Sequence, residues 1–145
     1  MTTFTVGYFV GSLAKASINR KPALALERLA PPQLTMREIP RRDLPLYSYD
    51  YDADYPPAGR ALKEVIASVD AVLFVTPEYN RSIPGALKNA IDRASRPWGA
   101  NSLARKPSAS STCGAFCNSP LMNAIEAYIE FTPGLLSDDN EVTVD

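Results

Sequence analysis

The run Ala71-Val72-Leu73-Phe74-Val75 constrains this chain more than any other stretch. Five apolar residues in a row, set between Asp70 and the turn pair Thr76-Pro77, describe a strand covered on both faces, and such strands belong to parallel sheets. Neighbouring parallel strands need a crossover, so helices must flank this one. Upstream, Leu62, Val65, Ile66 and Val69 fall at i, i+3, i+4 and i+7 and predict a helix from about Pro57 to Val69. Downstream, Leu87, Ala90, Ile91 and Ala94 repeat that spacing after Pro84, a residue suited to a first helical position.

The first half has the same grammar. Phe4 to Val10 reads as a buried strand that Gly11-Ser12 breaks. Ser17 can cap a helix whose apolar positions are Ile18, Ala25 and Leu29. Pro22 would cost about 3 kcal/mol inside that helix, so the helix must effectively begin near Lys21. Pro31-Pro32 ends it, and Gln33 to Ile39 predicts a second strand. Pro40 to Pro57 carries four Pro and four Tyr and is expected to be an ordered surface loop outside the core. Its rings, Tyr47, Tyr49, Tyr51 and Tyr55, either line a pocket or partner contact or lie on the surface.

The order β-α-β-α-β-α gives an α/β fold: a doubly wound parallel sheet in one three-layer domain spanning residues 1–145. After Arg96 the pattern lapses. Lys106 to Pro120 shows neither strand nor helical period, so 105–120 is expected to be irregular or deleted. Tyr128 to Phe131 suggests one last strand, and 132–145 an acidic tail.

Composition limits the chemistry. With 15 Lys+Arg against 16 Asp+Glu and no basic block, neither nucleic acid nor an anionic membrane is the expected partner. No apolar run approaches the roughly 18 residues of a membrane span. Met1 to Thr5 lacks a leader's basic and apolar regions, so a cytoplasmic protein is expected. The absence of histidine removes Ser–His and Cys–His nucleophiles and His-containing zinc sites. Cys113 and Cys117, spaced C-x₃-C, read as free thiols. Chemistry must come from carboxylates or from a bound cofactor, and no metal site is expected.

In an open α/β sheet a ligand sits beyond the carboxyl ends of the strands, where the strand order switches. Two segments lie there. In Gly11 to Asn19, Ser12, Ser17 and Asn19 can donate, Lys15 adds a cation, and Ile18 lies beside a helix N-terminus; together these suit a phosphate, though an ordinary capped turn explains them too. The segment is neither G-x-G-x-x-G nor a Walker loop. In Thr76 to Pro84, two prolines hold a backbone on which a planar heterocycle could rest, bounded by Pro77, Glu78, Tyr79 and Asn80. Glu78 as a catalytic acid ranks below this binding role.

The segments VGSLAKASINRKPA, PRRDLPLYSYDYDADYPP and VLFVTPEYNRSIPGALKNAIDRASRP resemble the NAD(P)H-dependent FMN reductase family, the flavodoxin-like group that includes bacterial quinone and chromate reductases. The resemblance runs from residue 4 to about 107 and again through NSPLMNAIEAYIEFTPGL. It implies a flavodoxin-like sheet and FMN, the phosphate held by Ser12 to Asn19 and the ring against Pro77 to Asn80. It implies NAD(P)H as donor, a quinone, FMN or chromate as acceptor, and a homodimer or homotetramer. No catalytic side chain is then required. Against the family pattern, Ala14 stands where arginine is usual, Pro22 replaces an apolar residue, and the fourth βα unit and C-terminal helix are expected to be lacking. On that expectation Val72 and Phe74 would be poorly covered. The rival reading is a truncated, inactive relative that at most binds a partner; a one-electron carrier fits less well, because such proteins are usually strongly acidic.

Overall fold

A computed structural model describes residues 2–112. Their elements are β1 (Phe4–Val10), α1 (Arg20–Leu29), β2 (Leu34–Glu38), a 3₁₀ turn (Tyr49–Tyr51), α2 (Pro57–Ala67), β3 (Ala71–Thr76), α3 (Gly85–Ser95) and β4 (Ser108–Thr112). All pairings are parallel, in the order β2-β1-β3-β4. The chain moves one way from β1 to β2 and the other way to β3, so the switch point lies between β1 and β3.

Alternation along the strands assigns the two faces. Phe9, Val72 and Phe74 turn toward α2 and α3, where Leu62, Ile66, Leu87, Ala90 and Ile91 complete the main core. Phe9 and Phe74 stand opposite each other in register, their rings stacked at 5.4 Å. Tyr8, Val10 and Val75 turn to the other face and pack with Ala23 of α1. The three layers are α1, the sheet, and α2 with α3.

Four expectations change. The fourth strand is present: Ser108 to Thr112 pairs with Val72 to Thr76. Its sequence, SASST, has no apolar pattern, and ladder pairing beside β3 is what makes it a strand. Val72 and Phe74 are accordingly well covered, at 2% and 3% exposure; the thinner cover lies on the opposite face, where Val6, Met36 and Leu73 are half-buried. Helix α1 packs through Ala23, whereas Ile18 and Leu29 are exposed and Ala25 is half-buried, because a small residue lets the helix approach the sheet. Pro84 is the cap residue of α3 and not its first helical residue. The expected strand at 128–131, the tail at 132–145, Cys113 and Cys117 lie outside the described residues.

The segment from Pro40 to Pro56 contributes to the core after all. Tyr55 is buried and donates to the Arg93 carbonyl at 2.6 Å, and Leu44 packs on the main cluster. Two α3 residues one turn apart strap the segment down. Asn89 accepts from the Tyr47 N–H at 2.9 Å and donates to the Pro45 carbonyl at 3.0 Å. Arg93, fully buried, donates to the Pro45 and Leu46 carbonyls at 2.6 and 2.9 Å, its guanidinium lying over the Tyr51 ring at 5.3 Å and near Tyr55.

Asn89→Ala removes these amide bonds and leaves the Tyr47 N–H without its acceptor. It should cost about 2–3 kcal/mol, seen as a lower urea midpoint at unchanged slope. An unmoved midpoint would show that the strap is not structural.

On the α1 face, the buried Tyr8 hydroxyl donates to Glu27 at 2.9 Å, and burial together with that carboxylate pushes its pKa up to about 12. The folded value exceeds the unfolded value of 10.0, so the stabilisation is whole below that pH and is lost as pH rises toward about 12. Stability measured across this window should fall more steeply for the parent chain than for Tyr8→Phe; coincident profiles would refute the assignment.

Candidate functional site

Strands β1 and β3 end side by side, and their closeness depends on a missing side chain. The Gly11 N–H donates to the Val75 carbonyl at 2.7 Å. A Cβ on Gly11 would lie 2.0 Å from Thr76 Oγ1 and 2.9 Å from Thr76 Cα. Only glycine lets the two loops leave one edge in contact. The structure thus brings the two expected segments, 11–19 and 76–84, to the switch point between β1 and β3.

In the first loop, Ser12 is buried and its Oγ accepts from the Ala14 N–H at 3.2 Å. Ser17 and Asn19 are buried too, at 5% and 4% exposure, and neither Ser17 Oγ nor Asn19 Oδ1 has a partner. Lys15 and Ile18 are exposed. The expected cap at Ser17 is not made: α1 begins at Arg20, Asn19 holds the cap position, and no side chain caps the helix. The reason lies in the backbone. Asn19 has helical angles (φ −70°, ψ −19°) where a capping residue is ordinarily extended. The N–H that such a cap would bond belongs to the second or third helical residue. The third is Pro22, which has none, and the Lys21 N–H bonds the Ile18 carbonyl at 3.2 Å. The Arg20 N–H is taken by the Ser17 carbonyl at 3.2 Å, so the helix supplies fewer free amides than the sequence suggests.

The polar atoms of Ser17 and Asn19 therefore remain available, inside a loop where Ala16, Ile18 and Asn19 also have unbonded N–H groups among the described residues. A serine hydroxyl can donate, and rotating the asparagine amide exchanges its acceptor for an NH₂. Buried polar atoms without partners cost stability unless something bonds them. This donor set suits an oxyanion such as a phosphate.

The second loop is a tight turn. Tyr79 and Ser82 exchange both backbone bonds, at 2.8 and 3.0 Å, across Asn80 (φ 53°) and Arg81 (φ 60°), two left-handed positions of the mirror-image hairpin kind. Thr76 is fully buried and donates to the Pro77 carbonyl at 3.0 Å. Pro77 is half-buried; Glu78, Tyr79 and Asn80 are exposed, Tyr79 at 52%. Tyr79's own N–H and C=O close the turn, so an edge-on ligand would have to use its neighbours. The result is a raised, open lip beside the first loop.

Sequence reading missed two residues behind the first loop. Arg41, 6% exposed, donates through Nη2 to the Ser12 carbonyl, and Arg42 through Nη2 to the Leu13 carbonyl, both at 2.7 Å. Burial lowers the pKa of Arg41. The only hint was position: Pro40-Arg41-Arg42 follows β2 at the same rim.

Known proteins share this sequence and fold. A family model described as NADPH-dependent FMN reductase matches residues 4–123. A quinone reductase of Pseudomonas putida is 43% identical over 157 aligned residues, covering 96% of this chain and 84% of that protein. That alignment is longer than the 145 residues of this chain, so parts of the relative have no counterpart here. A 2-hydroxy-1,4-benzoquinone reductase of Burkholderia is 51% identical over 104 residues, 72% of this chain and 57% of that one. Among solved structures, a flavoenzyme NAD(P)H:(acceptor) oxidoreductase of Paracoccus denitrificans superposes with a TM-score of 0.72 at 47% identity, covering 76% of this chain and 60% of that chain.

Gly11→Ala should be the most damaging small substitution at this rim. The clash involves Thr76 backbone as well as side chain, so an overpacking loss of about 2–3 kcal/mol is expected in chemical denaturation. A loss near zero would mean that the two strand ends can separate.

Proposed function

We propose that this chain, which belongs to the NADPH-dependent FMN reductase family, binds FMN across its two rim loops and uses NAD(P)H to reduce quinones or comparable small oxidants. The observation that carries the reading is the pair of buried, partnerless atoms, Ser17 Oγ and Asn19 Oδ1, inside a loop with free amides. Ser12, Ser17 and Asn19 hold the phosphate there, with Lys15 and Ile18 at its exposed edge. Pro77, Glu78, Tyr79 and Asn80 bound the ring.

FMN held by these residues would supply the redox chemistry, a hydride relay between a nicotinamide donor and a small oxidant. The protein's part is positional. The stiff Tyr79–Ser82 turn presents a fixed wall, and the exposure of Glu78, Tyr79 and Asn80 leaves the ring side open to donor and acceptor in turn. A chain with no histidine and, among the described residues, no metal-binding cluster is suited to such a division of labour.

A homodimer or homotetramer is what the family resemblance implies, and Leu46, Tyr49 and Trp98, exposed at 79%, 76% and 85%, are free to enter such an interface. No helix among the described residues is long and apolar enough to cross a membrane. A cytoplasmic setting suits a user of NAD(P)H. The competing reading, a shortened relative that has lost its reaction, draws on the parts of the Pseudomonas protein that have no counterpart here.

Titrating the purified chain with FMN should quench flavin fluorescence to saturation, and the loaded protein should oxidise NAD(P)H only when a benzoquinone is added. Saturation without turnover would favour the inactive relative; no saturation would reject the site. Ser17→Ala should raise the FMN Kd about tenfold, the worth of one bond to a charged group. The same change should leave the thermal stability of the FMN-free protein equal or slightly higher, because it deletes an unpaired buried hydroxyl.

A further inference from the structure

We infer that Arg41 and Arg42 make the first loop selective for a phosphorylated flavin, by fixing its peptide planes and bringing positive charge up behind it. The inference rests on the reading of that loop as the FMN phosphate site.

The argument begins with the two carbonyls. Across a trans peptide the C=O of one residue and the N–H of the next point in opposite directions. Arg41 holds the Ser12 carbonyl and Arg42 the Leu13 carbonyl, each at 2.7 Å. The N–H groups of Leu13 and Ala14 are thereby turned away from the arginines, and the Ala14 N–H indeed meets Ser12 Oγ at 3.2 Å. Of these two amides the Ala14 N–H is already spent inside the loop on Ser12, which leaves the Leu13 N–H as the donor that the arginines set toward a ligand.

Charge points the same way. Glu38, the nearest carboxylate, is already held by Arg20 through both oxygens at 2.8 and 2.7 Å. It lies 3.9 Å from Arg41 Nη1, beyond hydrogen-bond reach. Glu38 and Asp43 are the acids of a surface pocket that Arg20, Arg41 and Arg42 line together with Ser12 and Leu13. Arg41 Nε is buried with no partner. A buried guanidinium whose acid neighbour is taken by another arginine is poorly compensated, and an anion in the adjoining loop would complete it. On the loop itself the sole cation is Lys15, exposed to solvent. Arg41 and Arg42 are thus positioning residues, acting on the ligand through Ser12 and Leu13.

Dissociation constants for FMN and for riboflavin, which lacks the phosphate, test this by fluorescence quenching. The parent chain should prefer FMN, and more so at low salt. Arg41→Met should weaken FMN about tenfold or more while changing riboflavin by no more than about twofold. Arg41→Lys, which keeps the charge, should recover part of the preference; Arg42→Gln, at an exposed residue that tolerates change, should lower it about threefold. Equal weakening of both ligands would reduce the arginines to structural supports and overturn the inference, as would an unchanged ratio in Arg42→Gln with a salt-independent preference in the parent, even if Arg41→Met does not fold. A parent chain that binds neither flavin overturns the site reading and the inference with it.

Discussion

The contact between Gly11 and Thr76 is the constraint on which the rest of the structure depends. Parallel pairing of β1 with β3 brings Val10 level with Val75, and the next residue on each strand must then share one small space. A glycine on one side solves this, the ladder continues one step through the Gly11–Val75 bond, and both loops emerge from a common edge. Separate these ends and the polar pocket of the first loop no longer has the turn of the second beside it. The stacked Phe9 and Phe74 rings, two residues below Gly11 on β1 and two below Thr76 on β3, anchor the same pair of strands in the core.

A proline that looks like an error shapes the first loop of the candidate site. Pro22 lacks the N–H that a helix cap would bond, and together with the helical angles of Asn19 this leaves the side chains at 17 and 19 uncapping and buried. Stability is forgone locally, because buried polar atoms are left unbonded. The long segment after β2 compensates in two places. Its first residues, Arg41 and Arg42, grip the backbone of the first loop, while its middle is strapped to α3 by Asn89 and Arg93. Site and strap are thus covalently continuous, so that ordering one favours ordering the other.

Much of this is legible in the sequence. The helices α2 and α3 could be read because their apolar residues face one large core, and β3 because it is covered on both sides. The loops of the site could be placed because strand order dictates where a doubly wound sheet binds. Other parts were hidden for stated reasons. β4 is polar and owes its state to the ladder with β3. The packing residue of α1 is an alanine, while its larger apolar side chains face outward. Tyr55 and Leu44 sit in a stretch whose prolines and acids disguise their burial.

The sequence by itself determined the alternation of strand and helix, the parallel sheet, the rim at which the candidate site lies, and a chemistry that cannot use histidine. These follow from local periodicity and residue type, which act over a few residues. Tertiary structure alone decided which polar atoms at that rim stay unbonded and which distant side chains support it. Whether Ser17 caps a helix or stays unbonded depends on the backbone of Asn19 and Pro22, two and five residues away, and Arg41 meets Ser12 across 29 positions of chain. Such long-range encounters are fixed by packing of the whole domain, and no window of sequence contains them.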